Sequence, residues 1–475
     1  MANPYGKYRL YLKNFRAIEE ADITLDGITV VAGINACGKS TISRLFYKTF
    51  WSAINFERLA FKEVFDKYES LLNDLEDLSR ELNRGANFID FFPDDDERIF
   101  EKDEDWWFEH YCLRQLQEIL LRLRRQIVSE LSLSETIRKK MLRWIRVWEI
   151  HKWISLPEDT LGYKEQLLQA IIELEAKVKQ DIATAKERWG TRDIRIFNAE
   201  ISRDFEELYD EEGTVFSFFD DDGIITDEKN WYFAPISGVK RVFFYDTPHL
   251  NLQLPAYNKR IGFSDGIRNT LKEGKRENWN ANASIAALNT IFQQLVKGRI
   301  SAQLVLTDYE DATYETVFEY LRDDGLKIDF HKCSSGFKVL GLLQMLMNKG
   351  ALTETTAVFL DEPEAYLHPE WIVEYARMLV LINKTLGTRF FIATHNPDMT
   401  SAIRYISEKE GTLDSVNFYI AEESPTSKYQ FRYKEAKEED DEKSIGPLFE
   451  SFIRGIEKIA EYSKSDGEQK DSSDE

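Results

Sequence analysis

Three short stretches, far apart along the chain, carry side chains suited to handling a phosphate. The first is Gly33-Ile34-Asn35-Ala36-Cys37-Gly38-Lys39-Ser40, followed by Thr41, with the spacing G-x-x-x-x-G-K-S. Glycines let the backbone N–H groups of such a loop turn inward around an anion, and a helix opening directly behind it adds partial positive charge. In that setting Lys39 reaches the β- and γ-phosphates, Ser40 ligates Mg²⁺ and Thr41 bonds the α-phosphate. The second stretch is the apolar run Thr356-Ala357-Val358-Phe359-Leu360, closing on Asp361-Glu362. An aspartate on a rigid strand end beside a phosphate loop can hold Mg²⁺. Its neighbour Glu362 is then placed to polarise an attacking water. The third is Phe390-Phe391-Ile392-Ala393-Thr394-His395-Asn396, another apolar strand ending in polar residues, with His395 able to donate to a γ-phosphate oxygen. Each has a plainer reading taken alone: a glycine turn, an acidic helix cap, a structural histidine. Their coincidence at the ends of expected strands favours one nucleotide site.

These residues need strands and helices to hold them. Tyr8–Leu12 and Ile28–Ala32 read as strands, and Ser40–Phe50 as the helix behind the glycine loop. Phe61, Phe65, Tyr68, Leu72, Leu75 and Leu82 then fall at helical steps, interrupted at Ser79, which marks 56–84 as a long amphipathic helix or half of a short coiled coil. An acidic break at 94–105 reads as a solvated loop. More helical sequence follows, so 51–190 reads as a helical insertion. From Asp193 the chain turns β-rich, with strands expected at Ile194–Asn198, Thr214–Phe219, Arg241–Tyr245, Gln303–Leu306 and Lys327–Phe330. Residues 257–300 read as helix with loops. Val416–Ala421 and Tyr429–Tyr433 look like a hairpin, and an acidic linker, the helix Pro447–Ser463 and a polar tail follow. The expected domains are 1–50 and 191–436 forming one head, 51–190 forming a lobe, and 437–475 forming linker, helix and tail.

Composition narrows the partners. The net charge is −22, and such a surface repels phosphate backbones over most of its area. A nucleic-acid contact would need a local basic patch. Arg114–Lys152 offers one, with ten Lys or Arg against four Glu, and Trp144, Trp148 and Trp153 interleaved. It reads either as a nucleic-acid or partner-binding face or as a solvated helix face with its tryptophans packed inward. No run of 18 apolar residues occurs, so no membrane span is expected. Three scattered cysteines, Cys37, Cys112 and Cys333, and a start without signal-peptide features fit a cytoplasmic setting.

Taken together, the motifs resemble the ABC-type ATPase superfamily and, within it, the branch containing SMC, RecF and OLD-family proteins. Four features carry the likeness. Asn14-Phe15-Arg16 precedes the strand of the glycine loop. Leu360-Asp361-Glu362-Pro363-Glu364-Ala365-Tyr366-Leu367-His368-Pro369 looks like the D-E-P-E-x-x-L-H-P element. Thr394-His395-Asn396-Pro397 looks like the switch-histidine loop. Cys333-Ser334-Ser335-Gly336-Phe337-Lys338 looks like a divergent signature loop, with Phe337 where glycine and Lys338 where glutamine are usual.

That resemblance implies an α/β head, a P-loop fold with a mostly parallel sheet and an antiparallel β lobe, bearing a helical or coiled-coil insertion. It implies ATP and Mg²⁺ as cofactors, Lys39, Glu362 and His395 as the catalytic set, and Ser40 and Asp361 at the metal. Gln253 is the candidate for the glutamine loop, also at the metal, and Arg16 for a further phosphate contact. In a head-to-tail homodimer, Ser335, the Gly336 amide and Lys338 of one copy would meet the γ-phosphate held by the other. The long stretch between Lys39 and Ser335 argues against a compact transporter subunit. OLD-type nucleases carry a metal-binding Toprim domain behind the head, and 396–475 shows no strand-borne acidic cluster of that kind. The implied function is therefore a stand-alone sensor or scaffold ATPase like those of bacterial antiphage systems such as Septu, acting on a separate effector, a nuclease. The alternatives are a RecF- or SMC-like DNA repair ATPase using the lobe, and an assembly protein held together by ATP.

Overall fold

Apolar runs too continuous to alternate with polar residues build the centre of the molecule. The computed structural model describes residues 6–68, 163–206, 213–221, 223–226, 233–246, 283–308 and 313–436, with 113, 116–118, 120–121, 124–125, 208 and 270–271 as short pieces. The chain divides into two units, Met1–Ile54 with Ile201–Glu475, and Asn55–Glu200.

The first unit contains a ten-stranded sheet. Its strands are β1 (Tyr8–Phe15), β2 (Ile18–Leu25), β3 (Ile28–Ala32), β4 (Val215–Asp220), β5 (Gly223–Thr226), β6 (Arg241–Asp246), then β10 (Thr356–Asp361), β11 (Arg389–Thr394), β12 (Val416–Glu423) and β13 (Phe431–Glu435). They lie in the order β5-β4-β1-β2-β13-β12-β3-β11-β10-β6. The block β12-β3-β11-β10-β6 is parallel throughout. Pairs β1-β2, β1-β4, β4-β5 and β12-β13 are antiparallel. A separate antiparallel sheet holds β7 (Gly298–Asp308), β8 (Thr313–Arg322) and β9 (Lys327–Asp329). The fold is α/β, a large mostly parallel sheet with antiparallel additions.

Every residue of β3, β10 and β11 is buried, as parallel strands covered on both faces require. Alternate side chains serve opposite faces. Phe359 and Phe391 meet Phe46 of helix α1 (Lys39–Ile54), and Phe244 meets Tyr47. Val358, Leu360, Phe390, Ile392 and Phe243 instead join a core with helices α4 (Ala283–Val296), α5 (Ser335–Asn348), α6 (Pro369–Leu386) and α7 (Pro397–Glu410). Phe46 also stacks on Phe50, meets Phe218 edge-on and is fully buried. Its replacement by alanine is expected to cost about 3–5 kcal/mol in a denaturant unfolding experiment.

In the second unit, helical residues 56–68 lie beside α2 (Tyr163–Gly190), tied by Tyr68 to Asp181 at 2.8 Å and Arg188 to Glu63 at 3.0 Å. Phe61 and Tyr68 are buried and Phe65 is half-buried. Leu72, Leu75 and Leu82 lie outside the described residues, as do the acidic run at 94–105, most of Arg114–Lys152, and Lys437–Lys443 with Pro447–Ser463. Of the basic stretch, Arg124 donates to Glu175 at 3.3 Å.

One expected strand is a helix. Ile194–Asn198 belongs to α3 (Ile194–Ser202). Asp193 accepts the N–H of Arg195 on its carboxylate at 3.0 Å, an N-terminal turn that starts a helix. Ile194, Phe197 and Ile201 are buried at steps of three and four. Among the described helices none is long and apolar enough to cross a membrane.

Candidate nucleotide site

Sheet register brings the three stretches to one edge. Thr394 pairs with Ala32, and Asp361 pairs with Ala393. The residues that follow, Gly33, His395 and Glu362, therefore leave the carboxyl ends of neighbouring parallel strands, where ligands of such sheets bind.

The glycine loop is shaped by its backbone. Ala36 has φ 64° and Gly38 φ 101°, left-handed turns within an otherwise right-handed path. Such alternation gathers successive N–H groups into an anion-binding nest. A Cβ at Gly33 would come within 2.6 Å of the Ala421 methyl on β12, so only glycine fits there. Ile34, Asn35 and Ala36 form an exposed crown, Cys37 is buried, and Ser40 and Thr41 are half-buried.

Lys39 is 4% exposed. Its ammonium donates to Gly33 O at 3.0 Å and Ile34 O at 2.8 Å, with Cys37 Sγ at 3.8 Å. Among the described residues no carboxylate pairs with it. A buried cation with neutral partners is matched by an anion inside the loop, which is how the site fits a phosphate.

Ser40 Oγ donates to Asp361 Oδ1 at 3.0 Å, joining the first stretch to the second. Among the described residues no group of three or more His, Cys, Asp or Glu could hold a metal ion. Mg²⁺ does not need one, since it takes one or two protein oxygens and completes its shell from phosphates and water. Ser40 and Asp361 would hold it here.

Glu362 adopts φ 46°, unusual for a residue with a side chain. Its N–H continues the ladder to Ala393 O at 2.9 Å, which holds that turn in place. His395 Nδ1 lies 3.3 Å from Glu362 Oε1. Asn396 caps α7, accepting from the Asp398 and Met399 N–H groups, so His395 is fixed between a strand end and a capped helix.

The other expected positions stand as follows. Ser334 is the N-cap of α5, and its hydroxyl accepts the Phe337 N–H at 3.4 Å. Ser335 is exposed, Lys338 half-buried and Gly336 buried beneath the Tyr366 carbonyl. Phe337, the departure from the signature pattern, is a core residue packed on Tyr320 at 4.4 Å. Arg16 spreads over Phe15 and Phe205, its charge 5.0 and 5.4 Å from the ring centres. Gln253 lies outside the described residues.

Three neighbours escaped the sequence reading as site residues. Tyr433 of β13 donates its hydroxyl to Cys37 O at 2.8 Å, under the loop. Burial pushes that phenol well above its usual range, so it stays a donor. Glu364 is buried beside His395, and Thr394 donates to it. The second glutamate of the D-E-P-E element was a signal for Glu364. Nothing local marks Tyr433, which reaches the loop only through the β13 pairing.

The chain is similar to several known proteins. Residues 28–398 match a family described as "AAA domain, putative AbiEii toxin, Type IV TA system". Over 126 residues the chain is 30% identical to the Old nuclease of Escherichia phage P2, covering 25% of this chain and 21% of that protein. The SMC head domain from Thermotoga maritima aligns over 91% of this chain and 99% of its own, at 12% identity and a TM-score of 0.30. The Smc head with extended coiled coil from Pyrococcus furiosus, bound to the C-terminal domain of ScpA, aligns over 95% and 98%, at 13% identity and 0.30. At those TM-scores the fold rests on the strands and helices described above. The family match spans most of the chain, and this protein belongs to that family of AAA ATPase domains.

Proposed function

We propose that the chain binds Mg²⁺-ATP in the Gly33–Thr41 loop and hydrolyses it to ADP and phosphate. The observation that carries this reading is the meeting of Ser40 with Asp361 at 3.0 Å, with Glu362 and His395 3.3 Å apart at the same sheet edge. When bound, ATP supplies the phosphoanhydride bond to be broken and Mg²⁺ draws charge from its phosphates. Lys39 holds the β- and γ-phosphates and Thr41 the α-phosphate. Glu362 accepts a hydrogen bond from the attacking water. His395 turns Nδ1 toward Glu362, which leaves Nε2 to face the γ-phosphate.

Purified chain should release phosphate from ATP only with Mg²⁺, and should associate on addition of Mg²⁺-ATP, with Ser335, Gly336 and Lys338 of one copy facing the ATP of another. No Mg²⁺-dependent release would remove the enzymatic reading. The exposed Ser335 at the start of α5 supports the two-copy arrangement. In the cell we read the protein as the sensor or scaffold ATPase of an antiphage system, as in Septu, governing a separate nuclease effector. The family description and the stretch of identity with a phage nuclease support this. Host cells carrying Lys39→Ala or Glu362→Gln should lose phage restriction, and normal restriction by both variants would count against it. The DNA repair reading rests on the basic stretch Arg114–Lys152 and predicts ATP-dependent DNA binding that weakens with salt.

Support of the loop by Tyr433 has its own consequence. Tyr433→Phe removes one hydrogen bond of about 1 kcal/mol and should raise KM for ATP about fivefold, with kcat nearly unchanged. Steady-state kinetics across ATP concentrations would read that split.

A further inference from the structure

Behind Glu362 and His395 lies a third acid. The Glu364 side chain is 2% exposed. Thr394, at the fully buried end of β11, donates its hydroxyl to Glu364 Oε1. The same Thr394 oxygen accepts the Asn396 N–H at 3.0 Å. These two bonds bracket the peptide that carries His395. From the ring side, His395 Nδ1 is 3.7 Å from Glu364 Oε1, longer than a hydrogen bond, and 3.3 Å from Glu362 Oε1.

The arrangement is costly for a merely structural residue. Glu364 Oε2 and His395 Nδ1 are both buried without a hydrogen-bond partner. Burial pushes the Glu364 carboxyl above its ordinary range, against the opposing pull of the Thr394 bond and of His395. The fully buried Tyr375 of α6 feels the same acid. An apolar side chain would fill this space without those penalties. What it would not do is accept the Thr394 proton. With its oxygen engaged by Asn396, Thr394 needs an acceptor at that one position to stay in this rotamer.

We propose that Glu364 is a positioning residue for His395. It commits the Thr394 hydroxyl, and through it the His395–Asn396 turn, so that the imidazole meets Glu362 in one orientation. The kinetic consequence presumes the ATPase reading above, whereas the effect on the ring itself does not.

A double-mutant cycle with His395 and a spectrum of the ring test this. Glu364→Ala should lower kcat about tenfold with KM changed by less than about twofold, and should add less than about twofold in a His395→Ala background. Thr394→Val, close to isosteric and therefore the safer fold, should show the same dependence on His395. In nucleotide-free protein labelled with ¹⁵N-histidine, the ring signals assigned by their loss in His395→Ala should shift or broaden in both variants. Equal kinetic losses in both backgrounds, or unmoved ring signals in both variants, would overturn the role. Ring signals that move in a chain without ATP turnover would instead remove the ATPase reading and leave the positioning role standing.

Discussion

Glu362→Gln is expected to cut ATP turnover by about 10²–10⁴-fold, the range for losing a positioned proton acceptor. The amide preserves the shape of the side chain. The left-handed turn at φ 46° and the Glu362 N–H bond to Ala393 O belong to the backbone and should survive. What changes is the charge facing the attacking water and His395 Nδ1 at 3.3 Å. Nucleotide binding should stay near that of the parent, because in the proposed site Lys39 and the loop amides would still hold the phosphates. The variant should consequently persist as an ATP-bound assembly. Single-turnover phosphate release with a parallel nucleotide titration would separate the two effects. Turnover within about threefold of the parent would move the base role to another residue.

Lys39→Ala should act on binding instead. The ammonium is buried and already aimed across the loop by Gly33 O and Ile34 O. Two charge-assisted bonds to phosphate, at about 1.5 kcal/mol each, correspond to roughly a hundredfold weaker ATP affinity. Alanine is a good helix former, so the start of α1 should hold. An equilibrium titration with a fluorescent nucleotide reads the loss, and an affinity within about threefold of the parent would place the phosphates elsewhere.

The contrast between these residues and Glu364 explains what a linear reading can reach. Lys39, Asp361 and His395 are recognisable because the chemistry sits in a few consecutive residues at the end of a long apolar strand. Convergence of those strands also follows, since fully apolar runs have to be covered on both faces. Ile194–Asn198 reads as a strand because a five-residue window with apolar residues at first, third and fourth places suits either period. Only the extension to Ile201, and Asp193 in front, settles the helix. The strand Thr313–Arg322 has no counterpart in the sequence analysis, although its Thr, Tyr, Val and Phe residues favour a strand and its neighbours in the small sheet are expected there. Tyr433 acts through a contact set by tertiary register, and no spacing rule contains it.

The place of β3 in the sheet carries one more consequence, for the time at which the protein becomes competent. That strand is flanked by β11 and β12, whose residues Arg389–Thr394 and Val416–Glu423 are made long after Ile28–Ala32. At translation rates of about 5–20 residues per second, the early segment must wait on the order of tens of seconds for both neighbours. A ribosome-bound nascent chain stalled before Val416 should therefore be unable to capture nucleotide, which ties acquisition of the ligand to the emergence of β12.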